Sequence, residues 1–233
     1  MMRLNKYLAR AGVGSRRESD RLIQAGTTKV NGKLITDPAF DVNKKDMVEF
    51  DGQKLSINSQ KIILMLNKPK GFITTVNDPH RRKTVMDLIP IRERLFPIGR
   101  LDKDTTGLLL LTNNGELANS LMHPRSRIPK EYTVVIEGRL SVRNKQQIER
   151  GIWIGNGEKG KGKIISQITD RSRSTLIIRL KQGKKREIRR IFTMLDIRLF
   201  SINRFRYHKL VLGDLPLGSW RYLSDAEVEE LQQ

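Results

Sequence analysis

The sequence contains no cysteine in 233 residues, which excludes disulfides, thiolate metal sites and a thiol nucleophile. It has only three histidines, none at metal-ligand spacing, so no metal ligand is assigned. No paired acidic cluster is present, which argues against a metal-dependent nuclease. Nucleotide-binding glycine loops are also missing. No apolar run approaches the length of a membrane span, and no strongly basic amphipathic helix stands out, so a membrane partner is not expected. The first residues, Met1 to Lys6, lack the apolar core of a signal peptide, and a cytoplasmic location is expected. Acidic residues are scarce relative to basic ones. Against 25 Asp and Glu stand 45 Lys and Arg, a formal charge of +20. An excess of this size predicts attraction to a polyanion, with nucleic acid the leading partner, and an affinity that falls steeply with salt.

The first fifty-odd residues read as a small module. Leu4, Leu8 and Ala11 recur at helical spacing and stop at Gly12 and Gly14. Ser15-Arg16-Arg17-Glu18 has the form of a capping box and opens a second helix that ends at Gly26. Asn31-Gly32 between two short apolar segments signals a hairpin, and Val48 and Phe50 a further strand. Residues 1 to 33 carry an excess of six positive charges. Arg3, Arg10, Arg16, Arg17 and Lys29 concentrate on two short helices and a hairpin, a rigid platform suited to a phosphate backbone rather than a merely solvated face. A short polar stretch at 56 to 60 comes next and reads as a linker, dividing the chain into domains at 1–57 and 61–233.

The second part is α+β with mostly strands. Ile62 to Leu66 is an apolar strand running into the turn Lys68-Pro69-Lys70-Gly71. Gly99-Arg100-Leu101-Asp102-Lys103-Asp104-Thr105-Thr106-Gly107 precedes the run Leu108 to Leu111, which reads as a strand buried on both faces. A carboxylate beside a guanidinium at the mouth of a buried strand suits an active site, although a charged turn fits the same residues. A helix carrying Leu117 and Leu121 comes after it and is stopped by Pro124. From 130 to 137 the pattern alternates, with Tyr132, Val134 and Ile136 on one face. Gly183 to Arg190 forms a second basic cluster opening a helix whose apolar face holds Ile188, Ile191, Phe192 and Leu195. At about 100° per residue Arg189 lies at the edge of that face, able to reach a cleft, while Arg190 points away, toward phosphate or solvent.

The residues from Arg3-Leu4-Asn5-Lys6 through Ser15-Arg16-Arg17 to Val30-Asn31-Gly32-Lys33 resemble the S-four type RNA-binding domain. Lys68-Pro69-Lys70-Gly71, Gly99-Arg100-Leu101-Asp102 through Leu108, and Gly183-Lys184-Lys185-Arg186-Glu187-Ile188-Arg189-Arg190 resemble the three motifs of the RsuA-type pseudouridine synthases. That resemblance implies a mixed, mostly antiparallel sheet with flanking helices, and no cofactor or metal. It implies isomerisation of a uridine in ribosomal RNA, or in a ribosomal subunit precursor, by a chain expected to be a monomer. It makes Asp102 the catalytic carboxylate, Arg189 its basic partner, and Tyr132 the ring that stacks on the uracil, although the phase with Val134 equally fits a core aromatic. Arg100 is expected to hold the extruded nucleotide. Lys68 and Lys70 are expected to face RNA or to form a solvated turn, and Lys185, Arg186 and Arg190 are further expected RNA contacts.

The chemistry asks for an ionised carboxylate, as nucleophile or as base. A nearby guanidinium opposes the cost of ionising a buried acid and fixes its position. The competing reading is an RNA-binding assembly factor without chemistry. Asp102 with Arg189, on a domain far larger than binding requires, separates the two. A large-subunit target is preferred on overall resemblance.

Overall fold

Leu108 to Leu111 are all fully buried, and they form the centre of a sheet because residues of that kind must be covered on both faces. In the computed structural model, which describes residues 1–57 and 60–232, the chain divides into two compact units. Asn58 and Ser59 of the expected linker lie outside the described residues.

The first unit comprises residues 1–61 together with 91–94. Its elements are β1 (Met2–Arg3), α1 (Leu4–Arg10), α2 (Arg16–Gln24), β2 (Thr28–Val30), β3 (Lys33–Leu34), β4 (Asp41–Val42), β5 (Val48–Phe50) and β6 (Gln53–Lys54). The expected capping box is present: Ser15 Oγ accepts from the Glu18 amide and Glu18 Oε2 from the Ser15 amide. The Asn31-Gly32 turn joins β2 to β3, both residues at positive φ, as this hairpin geometry requires. Leu4, Leu8, Ile23, Val30, Val42 and Val48 form a small core of their own. Arg3, Arg10, Arg16, Arg17 and Lys29 are all exposed around it.

The second unit holds β7 (Ile63–Lys68), β8 (Phe96–Ile98), β9 (Thr106–Thr112), α3 (Gly115–Met122), β10 (Lys130–Glu137), α4 (Val142–Arg150), β11 (Ile152–Trp153), β12 (Lys159–Gly160), β13 (Lys163–Asp170), β14 (Arg173–Leu180), α5 (Glu187–Met194), β15 (Leu199–Tyr207), β16 (Leu210–Val211), β17 (Trp220–Tyr222) and α6 (Asp225–Gln232). Its main sheet runs β13-β14-β10-β15-β9-β7-β17, with β16 added to β15 and β8 to β9. The β15–β9 pairing is parallel and the other pairings are antiparallel, so the sheet is mixed and mostly antiparallel. Apolar residues of β7 and β9 pack with those of α3 and α6, among them Met65, Leu110, Leu121 and Leu231.

Ile178, Tyr132, Arg204, Gly107 and Lys68 lie in register across β14, β10, β15, β9 and β7, one row running across the middle of this sheet. Gly107 is required there. Its φ is +104°, and a Cβ would stand 2.2 Å from the Arg204 carbonyl oxygen.

Candidate active site

The segment before β9 is a short loop whose position is set from three sides. Lys68 ends β7 with no solvent exposure, and its ammonium donates to the carbonyls of Asp102 (3.1 Å), Lys103 (3.2 Å), Thr105 (2.9 Å) and Pro69 (3.0 Å). The Gly71 amide donates to the Lys103 carbonyl. Thr74 Oγ1 donates to the Leu101 carbonyl at 2.9 Å and accepts from the Leu101 amide at 3.3 Å. The Lys-Pro-Lys-Gly turn and the segment after it therefore act on the loop carrying Asp102 as a clamp.

This corrects the expectation for Lys68, which cannot contact RNA. A cation buried at the end of an apolar strand must be compensated by hydrogen bonds, and four carbonyls supply them. Burial pulls its pKa down to about 8, against the attraction of Asp104 and Asp102. Lys70 and Arg100 are exposed.

Asp102 itself is part-exposed, its side chain 32 % accessible. Arg189, in the first turn of α5, brings Nε to 3.7 Å from Asp102 Oδ2 and donates from Nη2 to the Asp104 carbonyl at 3.1 Å. Its Nε is buried and makes no hydrogen bond, so it faces the carboxylate at ion-pair range with its donor unspent. The helix reaches this place because Ile188, Ile191 and Phe192 bury its apolar face, which leaves Arg189 at the boundary. Asp104 contributes its backbone, in keeping with a turn residue.

The basic loop before α5 is held by Glu187, an acid that sequence reasoning passed over. Glu187 is buried and accepts from the amides of Lys161 and Lys184 and from the Gln182 side chain. Burial raises its pKa from the usual carboxylate value. The one acid in a run of cations was the available signal. Lys185 and Arg186 remain exposed. Arg190 is corrected: its guanidinium donates to Glu158 (2.6 Å) and to the carbonyls of Ile154 (2.7 Å) and Gly155 (2.7 Å). Those bonds tie α5 to the segment around β11, which accounts for a side chain pointing away from the helix's apolar face.

Tyr132 is nearly buried, 9 % accessible, and lies two strands from Gly107 in the same cross-strand row, roughly 10 Å at the usual strand spacing. Between them on β15, Arg204 is buried, donating from Nε to the Leu108 carbonyl at 2.8 Å, with its guanidinium carbon 5.3 Å from the Tyr207 ring centroid. Sequence reasoning missed it. Its phase with Ile202 on β15 was the trace it left. Among the described residues no group of His, Asp or Glu is arranged to hold a metal ion, and no helix is long and apolar enough to cross a membrane.

Comparison with known proteins covers both units. Residues 62–193 match the family described as RNA pseudouridylate synthase, and residues 2–48 match the S4 domain. The chain is 39 % identical over 235 residues to a Bacillus subtilis protein named ribosomal large subunit pseudouridine synthase B, covering 100 % of this chain and 96 % of that one. It is 34 % identical to the Escherichia coli dual-specificity RNA pseudouridine synthase RluF, covering 99 % of this chain and 78 % of the relative. Among solved structures, a crystal structure of a pseudouridylate synthase superposes with a TM-score of 0.69 at 26 % identity, covering 99 % of this chain and 100 % of that one.

Proposed function

The chain belongs to the RNA pseudouridylate synthase family, and from that premise we propose that it isomerises one specific uridine of large-subunit ribosomal RNA, with Asp102 as its essential carboxylate. The observation that carries the reading is the pairing of Asp102 with Arg189 on a loop whose backbone Lys68 and Thr74 hold in place. A binding protein has no need of such a clamp.

The reaction breaks the bond from N1 of uracil to C1′ of ribose, turns the base, and joins C5 to C1′; the proton lost from C5 is balanced by one gained at N1. Asp102 supplies an electron pair, either to carbon as a nucleophile or to a sugar proton as a base. Arg189 holds that carboxylate in position. The target must leave its stack, at a cost of a few kcal/mol. Stacking on Tyr132 returns roughly 1–3 kcal/mol. Arg100, Lys70, Lys185 and Arg186 hold the surrounding phosphates, and Arg3, Arg10, Arg16, Arg17 and Lys29 give the S4 domain its grip on structured RNA. The enzyme works as a cytoplasmic monomer and needs no cofactor, since both bonds are exchanged within one nucleotide.

Mapping pseudouridines across ribosomal RNA from cells with and without the gene tests the reading. One large-subunit position should lose its modification. An unchanged map would reject the assignment.

A further inference from the structure

On β10, Glu131 precedes Tyr132, so strand alternation turns its side chain to the opposite face of the sheet. There it stands between two arginines on the flanking strands. Arg179 Nη2 and Nε lie 2.6 and 2.7 Å from Glu131 Oε1, and Arg206 Nε lies 3.1 Å from Oε2. The Glu131 side chain is almost buried, but the arginine side chains are 42 % and 37 % accessible. Each arginine is thus held to Glu131 while part of its side chain stays accessible.

These residues line an open hollow of about 610 Å³, together with Lys181, His208 and Lys209. Arg179, Arg206 and Lys181 alone set three positive charges against one carboxylate. His208 adds a buried Nδ1 with no hydrogen-bond partner. Burial first, and Lys209 second, lower the imidazole pKa below its usual value, against the attraction of Glu230. A structural clamp needs one guanidinium to balance Glu131. The second arginine, Lys181 and the unsatisfied ring nitrogen are in excess of that need. Two oriented guanidiniums flanked by ammonium groups match the oxygens of a phosphodiester.

We propose that this hollow is a second RNA-binding site, seating a backbone phosphate of the substrate on the face of the sheet opposite Tyr132. The inference rests on the reading that the substrate is RNA, and it adds an anchor that none of the catalytic motifs includes.

The test uses the full-length enzyme with Lys181→Glu and Lys209→Glu combined. Both lysines are exposed, and melting should be unchanged. A control pair on α4, Arg143→Glu with Arg150→Glu, alters net charge equally, and both of those residues are exposed. Affinity for a ribosomal RNA transcript is measured against salt. The hollow variant should lose about 0.7–0.9 in the slope of log K against log salt for each phosphate contact removed. The control should change it far less, and kcat at saturating RNA should be kept in both. Equal slopes in the two variants would overturn the proposal, reducing the hollow to ordinary charged surface. An unchanged slope on naked transcript, with activity lost only on ribosomal particles, would also overturn it, in favour of an acidic protein partner. Competition by inorganic phosphate alone, equally strong in wild type and hollow variant, would show no phosphate site. Failure of the wild type to isomerise any uridine would reject the function and leave the slope comparison readable.

Discussion

Arg189 stands with Nε 3.7 Å from Asp102 Oδ2 while its Nη2 donates to the carbonyl of Asp104. One guanidinium therefore holds both the carboxylate and the backbone two residues on. A lysine keeps the charge but has no fork with which to do both. Arg189→Lys should lose a charge-assisted hydrogen bond of about 1.5–3 kcal/mol, roughly ten- to a hundredfold in single-turnover rate. Arg189→Met should lose more. RNA affinity should change little in either. A lysine variant with the wild-type rate would show that the charge alone suffices.

Lys68 acts through the loop backbone. Lys68→Met takes the donor from the carbonyls of Pro69 and Thr105 and leaves those of Asp102 and Lys103 only the Thr105 and Gly71 amides, a cost of roughly 1–3 kcal/mol for each buried group left unsatisfied. The expected result is a kcat at least about tenfold lower with KM for RNA little changed. A drop confined to KM would restore Lys68 to the RNA interface.

The same lysine gives a pH dependence with a definite sign. Its ammonium, lowered from 10.5 to about 8 in the fold, loses its proton as pH rises through about 8, whereas in the unfolded chain it keeps it to 10.5. Between those values the unfolded state binds more protons, so this group's contribution to stability rises with pH. A neutral amine, however, has two N–H groups for four carbonyls, and the loop loosens. Activity should fall above about pH 8 with no fall in melting temperature from this group. Coincident loss of fold and activity would contradict the clamp.

Gly107 sits where β9 meets β15 closely, with φ +104° and the Arg204 carbonyl 2.2 Å from an added Cβ. Gly107→Ala combines overpacking of about 1–3 kcal/mol with backbone strain of similar size. Melting should fall by roughly 5–15 °C, as circular dichroism would report. An unshifted melt would mean that the two strands part freely there.

The site was legible in the sequence where chemistry and periodicity coincided. Arg189 was placed at the boundary of an amphipathic face by angle alone, and the structure finds it beside Asp102. The capping box at Ser15 and the Asn31-Gly32 hairpin are local devices that need no tertiary partner. Lys68 was misjudged because a lysine before a proline looks like a solvated turn. Only the fold brings the carbonyls of 102, 103 and 105 around it. Arg190 was misjudged for a related reason: a direction away from the helix core was read as solvent, and a neighbouring segment occupies it. Long-range carbonyl partners leave no mark in composition or spacing.

The most direct measurement is pseudouridine formation by Asp102→Asn in a ribosomal RNA transcript containing the target uridine. The side chain keeps its size and loses the charge that Arg189 faces. No detectable isomerisation is expected, with RNA binding and its salt dependence nearly unchanged. Full activity in the asparagine variant would contradict this role and remove the carboxylate of Asp102 from the chemistry.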